Sequence, residues 1–284
     1  MLLSIGDNCI DRYVAPIAEE HVGGNALNVA ANFVLHGLAA AYAGVVGTDG
    51  HGDRVVAALE AIGVTTAYVE RHPGPTGVTE IELLPGDYRI LKEEYGVSDR
   101  VRLSAALLEG VRAQASQLHL TVSGCAQQLI QGLEDLDVPL SVDLGTVTER
   151  SLLQTFAGLT AAAESAFVSV GARMSDEEVR QLLTAILRTG TRNAVATRGA
   201  AGASTLRQGR LISVPPMLSS AAIVDPLGAG DAFIAGFLAS PDLEEDVRER
   251  LLRGSRWSAE ACRHIGAWVP QRPAPESTQP QPQP

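Results

Sequence analysis

Short apolar runs alternate along this chain with longer stretches whose apolar positions recur at helical spacing. The runs LLSIG (2–6), AAYAGVVG (40–47), QLHLTV (117–122), PLSVDLG (139–145), SAFVSV (165–170) and RNAVATR (192–198) read as buried strands. Between them, Ala26–His36, Asp53–Ile62, Ser104–Ala113, Cys125–Asp135 and Asp176–Arg188 have helical period, and Ser175 followed by Asp176, Glu177 and Glu178 is a helix start. Strand–helix alternation of this kind predicts the α/β class, with a parallel sheet covered by helices on both faces.

Two segments depart from the pattern. From about Thr65 to Tyr95, β-branched and aromatic residues alternate with polar ones around the turn sequence Pro85-Gly86-Asp87. This predicts a small antiparallel sheet inserted into the α/β body. With residues 12–21 as a further strand it forms a lid over 12–21 and 65–96, an ordinary edge hairpin being the other reading. From Pro270 to Pro284 the chain is Pro/Gln-rich with no apolar residue beyond alanine, and is expected to be disordered.

Composition narrows the function. The 284 residues suffice for one large domain or two modest ones, and the net charge of -11 argues against a nucleic-acid partner. The most apolar stretch, Leu27–Val46, is interrupted by Asn28, Asn32 and His36, so no membrane span is expected, and MLLSIGDNCID lacks the basic start of a signal peptide. Cys9, Cys125 and Cys262 lie far apart without ligand spacing, which suits a reduced, cytoplasmic chain with neither disulfides nor structural zinc. Lys92 is the only lysine and follows no glycine-rich loop, so P-loop and protein-kinase phosphate chemistry are excluded. Any phosphate must be held by backbone amides, arginine and a metal.

The segment VDPLGAGDAFIAGF (224–237) meets that requirement. Gly228, Ala229 and Gly230 remove side chains from a helix start, where unpartnered N–H groups and the helix dipole attract anions. Asp231 is then either a helix cap or a general base beside an anion hole. Asp7, Asn8 and Asp11 follow the first strand, where ligands bind in open α/β sheets, although turn chemistry also explains them. In VGGNALNVA, Gly24 opens a helix whose first turn presents Asn25 and Asn28 on one face, as suits a polyhydroxylated ligand or a simple hinge and cap. Thr197, Arg198, Gly199 and Gly202 form a further strand-end loop, and GVVGTDGHGD does not match the dinucleotide fingerprint.

In order and spacing, GGNALN, GVVGTDGHG, VATRGAAGA and DPLGAGDAFIAGF resemble the PfkB/ribokinase-like sugar kinases over Leu2 to Trp268. Within that family IGDNCID, TGVTEIEL, GAGDAFIAGFL and HIGAW are most similar to the fructoselysine 6-kinase branch. The resemblance implies a ribokinase-like three-layer α/β/α sandwich, with a central mostly parallel sheet and a small β-sheet lid, in one domain over 1–269. It implies phosphorylation of a primary hydroxyl of a sugar by ATP with Mg2+, the favoured acceptor being a fructosamine such as fructoselysine. K+ is a further expected cofactor, and a homodimer through the lid an expected assembly. Other ribokinase-type sugar or nucleoside kinases, or a catalytically impaired binding protein, are the alternatives.

By the same resemblance Asp231 is the general base, and Gly228, Ala229 and Gly230 are the anion hole. Asp7, Asp11, Gly24, Asn25 and Asn28 face the sugar, while Thr197, Arg198, Gly199, Gly202 and Asp225 face nucleotide and phosphate. The lid positions Thr76, Thr79, Glu80, Glu82 and Arg89 are expected to select the acceptor, with carboxylates for an amine and Arg89 for a distant carboxylate. Thr76 and Thr79 cannot both face the sugar from one regular strand. The chain departs from the family twice: Asp225-Pro226 replaces Asp-Thr, and the expected Asn-x-x-Glu is missing, with Ser169 at the Asn position. Asp176, Glu177 or Glu178 are the candidates to replace that glutamate.

Overall fold

The computed structural model describes residues 1–122, 136–146, 157–240, 245–269 and 274–275, with positions 129 and 133. In β1 (Leu2–Ile5), Leu3 and Ile5 enter one apolar cluster and Leu2 the other, as the alternation of a strand requires. In β4 (Ala40–Gly47), Ala41, Ala43 and Val45 join the first cluster, and Ala40, Tyr42 and Val46 the second. Strands buried on both faces read as continuous apolar runs for this reason.

Helices close both faces. α1 (Asn25–Leu35) and α2 (Gly50–Ile62) bring Phe33 and Leu59 to the second cluster, whereas α3 (Ala105–Gln114) brings Leu107 and Val111 to the first. After the short α4 (Ala157–Ala162), α5 (Asp176–Leu187) adds Val179 and Leu183 to the first cluster. α6 (Ala229–Leu238) and α7 (Val247–Ala261) add Phe237 and Leu251 to the second. Ser175 starts α5 with a reciprocal capping box: its hydroxyl accepts the Glu178 N–H, and Glu178 accepts the Ser175 N–H. Of the expected helix Cys125–Asp135, Leu129 and Leu133 are buried in the first cluster, and the rest lies outside the described residues.

The central sheet has nine strands in the order β13-β12-β11-β10-β9-β8-β1-β4-β5. Its members beyond β1 and β4 are β5 (Thr65–His72), β8 (Gln117–Thr121), β9 (Leu140–Thr146), β10 (Ser165–Ser169), β11 (Asn193–Thr197), β12 (Ala203–Arg207) and β13 (Arg210–Val214). All neighbours are parallel except β11–β12 and β12–β13.

A second sheet, in the order β14-β3-β2-β6-β7, combines β2 (Cys9–Tyr13), β3 (Glu19–Gly23), β6 (Thr76–Leu84), β7 (Asp87–Gly96) and β14 (Ala274–Pro275). It corrects the expected lid in two ways. Residues 65–72 belong to the central sheet, because the chain returns from α2 as a parallel strand beside β4; their alternation is that of a half-exposed edge. The lid is also mixed, since β2 and β6 run parallel while β6–β7 and β2–β3 are antiparallel. Ala274 and Pro275, within the tail expected to be disordered, pair with Glu20 and Glu19 on β3. Backbone pairing at an open edge requires no apolar side chain.

Candidate active site

The turn before α6 leaves backbone amides open to the cavity. Pro226 C=O accepts the Ala229 N–H at 3.1 Å across Leu227 and Gly228, and Gly228 has φ 72° and ψ 0°, the second position of a type II turn. A Cβ there would come within 2.3 Å of the Ala267 Cβ. The N–H groups of Gly228 and Gly230 find no backbone acceptor among the described residues. Asp231 does not cap the helix. Its carboxylate, only 6% exposed, accepts the Asn28 Nδ2–H at 2.8 Å. Burial raises its pKa well above the ordinary value; Asn28 pulls the other way, and Asp143, Asp7 and Asp11 push it further up.

One wall of the cavity is made by α1 and the lid. Asp7 accepts the N–H groups of Asn25 and Ala26 at 3.1 and 3.2 Å and the Thr121 hydroxyl at 2.9 Å, so it both fixes the start of α1 and lines the cavity. Gly24 and Asn25 line the same wall. Asn28 gives its Nδ2 to Asp231, but its buried Oδ1 has no partner. Thr79 of β6 pairs in register with Asp11 on one side and Glu93 on the other, and all three line the cavity. The Cys9 thiol donates to Asp11 Oδ1 at 3.2 Å, and burial, reinforced by Asp225, Asp7 and Glu93, pushes Asp11 up to about 7.

Several expected lid contacts are corrected by strand alternation. Glu80 pairs with Arg12 (3.8 Å) and Glu82 with Arg89 (3.4 Å), and none of these four lines the cavity. Arg89 instead separates Tyr88 and Ile90, which do. Thr76 faces away from the acceptor as well: its hydroxyl donates to Asp49, the N-cap of α2, and accepts the Gly47 N–H.

At the nucleotide end, Thr197, Gly199 and Gly202 line the cavity, but Arg198 does not. Its buried guanidinium runs back under the loop to Asp176 (2.7 Å) and the Met174 carbonyl (2.8 Å). Asp176 is thereby occupied, Glu178 is in the capping box and Glu177 pairs with Arg180, so none of the three replaces the missing glutamate. Asp225 is corrected too. It is fully buried, accepting the Leu227 N–H (2.9 Å) on Oδ1, and the Gly266 N–H (3.0 Å) and the Tyr13 hydroxyl on Oδ2. Sequence reasoning missed Asp143, whose signal was a lone acid at the carboxyl end of a buried strand. Asp143 lines the cavity and accepts the Gly145 N–H at 2.9 Å, and burial pushes it up to about 6.

These groups surround one cavity of about 730 Å³. The lid tip, Gly86 to Tyr88, reaches across to the loop carrying Met217 and Ser220. Burial, with Asp231, Asp11 and Asp225 nearby, pushes Tyr88 up to about 12, so its hydroxyl stays protonated. Asp7, Asp11, Asp87, Glu93, Asp143 and Asp231 line the cavity, and among the described lining residues there is no Lys, Arg or His. No helix among the described residues is long and apolar enough to cross a membrane.

A family model described as pfkB family carbohydrate kinase matches residues 15–126 and 156–274. The fructoselysine 6-kinase of Escherichia coli (strain K12) is 28% identical over 270 residues, covering 94% of this chain and 99% of that protein. The fructosamine kinase FrlD of Bacillus subtilis (strain 168) is 29% identical over 274 residues, covering 94% and 92%. The solved ribokinase of Arabidopsis thaliana, complexed with ribose and ATP, has a TM-score of 0.77 at 21% identity, covering 94% and 93% of the two chains.

Proposed function

Since this chain belongs to the pfkB family of carbohydrate kinases, we propose that it transfers the γ-phosphoryl group of ATP to the 6-hydroxyl of a fructosamine, of which fructoselysine is an instance. The carrying observation is Asp231, buried, held by Asn28 rather than by its own helix, and placed one turn from two unpartnered amides. Its raised pKa suits a group that must take a proton from a hydroxyl as the oxygen attacks. The amides of Gly228 and Gly230 then face the phosphoryl oxygens, where phosphoryl transfer most needs stabilisation. The lid excludes water from the donor. A protein reduced to binding sugar has no use for a base aimed at an anion hole, which disfavours that alternative.

The family uses ATP with Mg2+. Among the described residues no three His, Cys, Asp or Glu side chains cluster for a metal. A magnesium ion carried by nucleotide phosphates needs only one or two carboxylates, and Asp143 fits that need, with one oxygen on Gly145 and a buried charge lacking a cationic partner. Bound there, the ion would supply positive charge to the transferring group. K+ gains no ligand from Asp225, whose two oxygens accept protein donors. Free Cys9 and Cys262 suit a cytoplasmic setting.

Asp231→Asn tests the proposal. Steady-state assays with ATP and a fructosamine should show kcat reduced roughly 10²–10⁴-fold, with the acceptor KM within a few-fold. Turnover near that of the unmodified chain would remove Asp231 as the base.

A further inference from the structure

The acceptor end of the cavity holds more negative charge than proton abstraction requires. Asp231 alone is placed to take the proton, yet Asp11 and Glu93 stand across the lid face from one another with Thr79 between them. Adjacent strands lie about 4.8 Å apart, so the outer two backbones are roughly 10 Å apart, and side chains from both reach a group resting on Thr79. Neither acid has a cationic partner among the described residues. Among the described residues the Cys9 thiol donates to the Asp11 side chain, and Glu93 Oε2 accepts the Tyr95 hydroxyl at 3.0 Å.

The basic residues nearest in sequence are kept off this face by alternation. Arg12, beside Asp11, points to the outer face and pairs with Glu20 at 2.9 Å. Lys92, beside Glu93, pairs with Glu94 at 3.1 Å, and Arg89 pairs with Glu82. The lid sheet therefore sorts its charges, with Asp11 and the more exposed Glu93 on the cavity face and the ion pairs on the other. A second, independent feature lies in the same cavity. Asn28 is 3% exposed and lines the cavity, yet its Oδ1 has no hydrogen-bond partner. Like the two acids it accepts hydrogen bonds and donates none from that atom.

A neutral sugar relieves this arrangement poorly. Its hydroxyls can donate to one carboxylate, but two carboxylates facing each other keep repelling, and the charges of Glu93 and Asp7 already weigh on Asp11. A positive charge is attracted by both. We propose that the Asp11–Thr79–Glu93 row binds the ammonium of an aminated sugar, and that nothing among the described lining residues reads a carboxylate beyond it. The kinase thus recognises the sugar–ammonium unit of a fructosamine and leaves any amino-acid carboxylate unread. This rests on the kinase reading above but makes a separate claim about the acceptor. It also replaces the expectation that Arg89 grips a distant carboxylate, because Arg89 lies on the outer face.

The test compares four acceptors at saturating ATP and Mg2+: fructose, N-methyl-fructosamine, its N-acetyl counterpart without the charge, and fructoselysine. Hydrogen bonds to charged groups exceed neutral ones enough to predict at least a tenfold higher kcat/KM for the N-methyl compound than for fructose or the N-acetyl compound. Fructoselysine should fall within about threefold of the N-methyl compound. Calorimetry without nucleotide should reproduce the order in Kd, so the inference is tested even if no acceptor turns over, an outcome that would count against the kinase reading instead. Glu93→Gln should shrink the preference for amine over fructose at least fivefold, while Glu80→Gln, on the outer face, leaves it in place. Equal binding of charged and uncharged acceptors would overturn the ammonium site. A tenfold advantage of fructoselysine over N-methyl-fructosamine would show that the carboxylate is read after all.

Discussion

Tyr13→Phe isolates a single oxygen that joins the lid to the glycine turn before α6. Tyr13 belongs to β2, yet its hydroxyl donates to Asp225, immediately before the turn that presents Gly228 and Gly230. Burial, with Asp225 and Asp11 beside it, raises the phenol's pKa and keeps it a donor. The ring stands edge-on to His21 at 5.6 Å, and phenylalanine keeps that packing, so the change removes a hydrogen bond without opening a cavity. Asp225 retains the Leu227 and Gly266 N–H groups, but at 0% exposure water cannot replace the lost donor. A hydrogen bond onto a carboxylate contributes about 1.5–3 kcal/mol, and the buried setting favours the upper half of that range. At roughly 2 °C per kcal/mol for a chain of this size, Tm should fall by about 4–6 °C in scanning calorimetry. Because the carboxylate also holds the Leu227 N–H inside the turn, kcat should fall several-fold while the KM for ATP changes little. A Tm within about 1 °C of the unmodified chain, with kcat unchanged, would refute the reasoning.

Asp11→Asn should separate stability from pH. Asp11 titrates near about 7 in the folded chain, against about 4 when unfolded, so the folded state holds the extra proton between those values and stability falls as pH rises across them. The variant lacks this penalty, and its stability advantage, read as a rise in Tm, should open from pH 4 to 7 and then stay level, at most about 4 kcal/mol. Buried His119, driven down to about 3, has the opposite pH dependence but is common to both chains. An advantage that does not grow with pH would mean Asp11 titrates normally. We further propose that two copies pair through the lid edge β7, where Leu91 and Tyr95 are 48% and 42% exposed. Sedimentation should show a dimer that Leu91→Glu dissociates, and a monomer at every concentration would remove the proposal.

What the sequence showed clearly were features set by local periodicity. Strands buried on both faces, the Ser175 capping box and the glycine turn before Asp231 all follow from short-range rules. Thr65–His72 was misplaced because an edge strand and a lid strand share the same alternation; only its return from α2 distinguishes them. Arg89 and Arg198 show a different limit. Each adjoins a residue that lines the cavity, and one step along a strand or into a loop turns the side chain away. Asp225 could not be read at all without Tyr13 and Gly266, which lie 212 and 41 positions away. Asp143 was overlooked because one acid in an apolar strand gives no spacing to recognise.

The two departures from the family pattern have unequal physical weight. Proline at 226 gives up an N–H, but the turn needs only the carbonyl of that residue, which accepts from Ala229. The neighbouring Leu227 N–H goes to Asp225, so the loop closes without the missing donor, and proline's fixed φ restricts the chain before Gly228. The missing Asn-x-x-Glu is not absorbed in this way. Ser169 and Val170 line the cavity where that motif would begin, and the acids that follow are committed to starting α5 and to Arg198. Among the described lining residues the acid nearest that position is Asp143, one strand over and paired in register with Phe167 of β10. Its proximity to Asp231 couples the two: loss of the Asp143 proton makes Asp231 harder to ionise, and a cation held with a nucleotide would lower that barrier. With Asp231 as the base proposed above, proton abstraction would then be tied to the presence of the phosphoryl group that uses it.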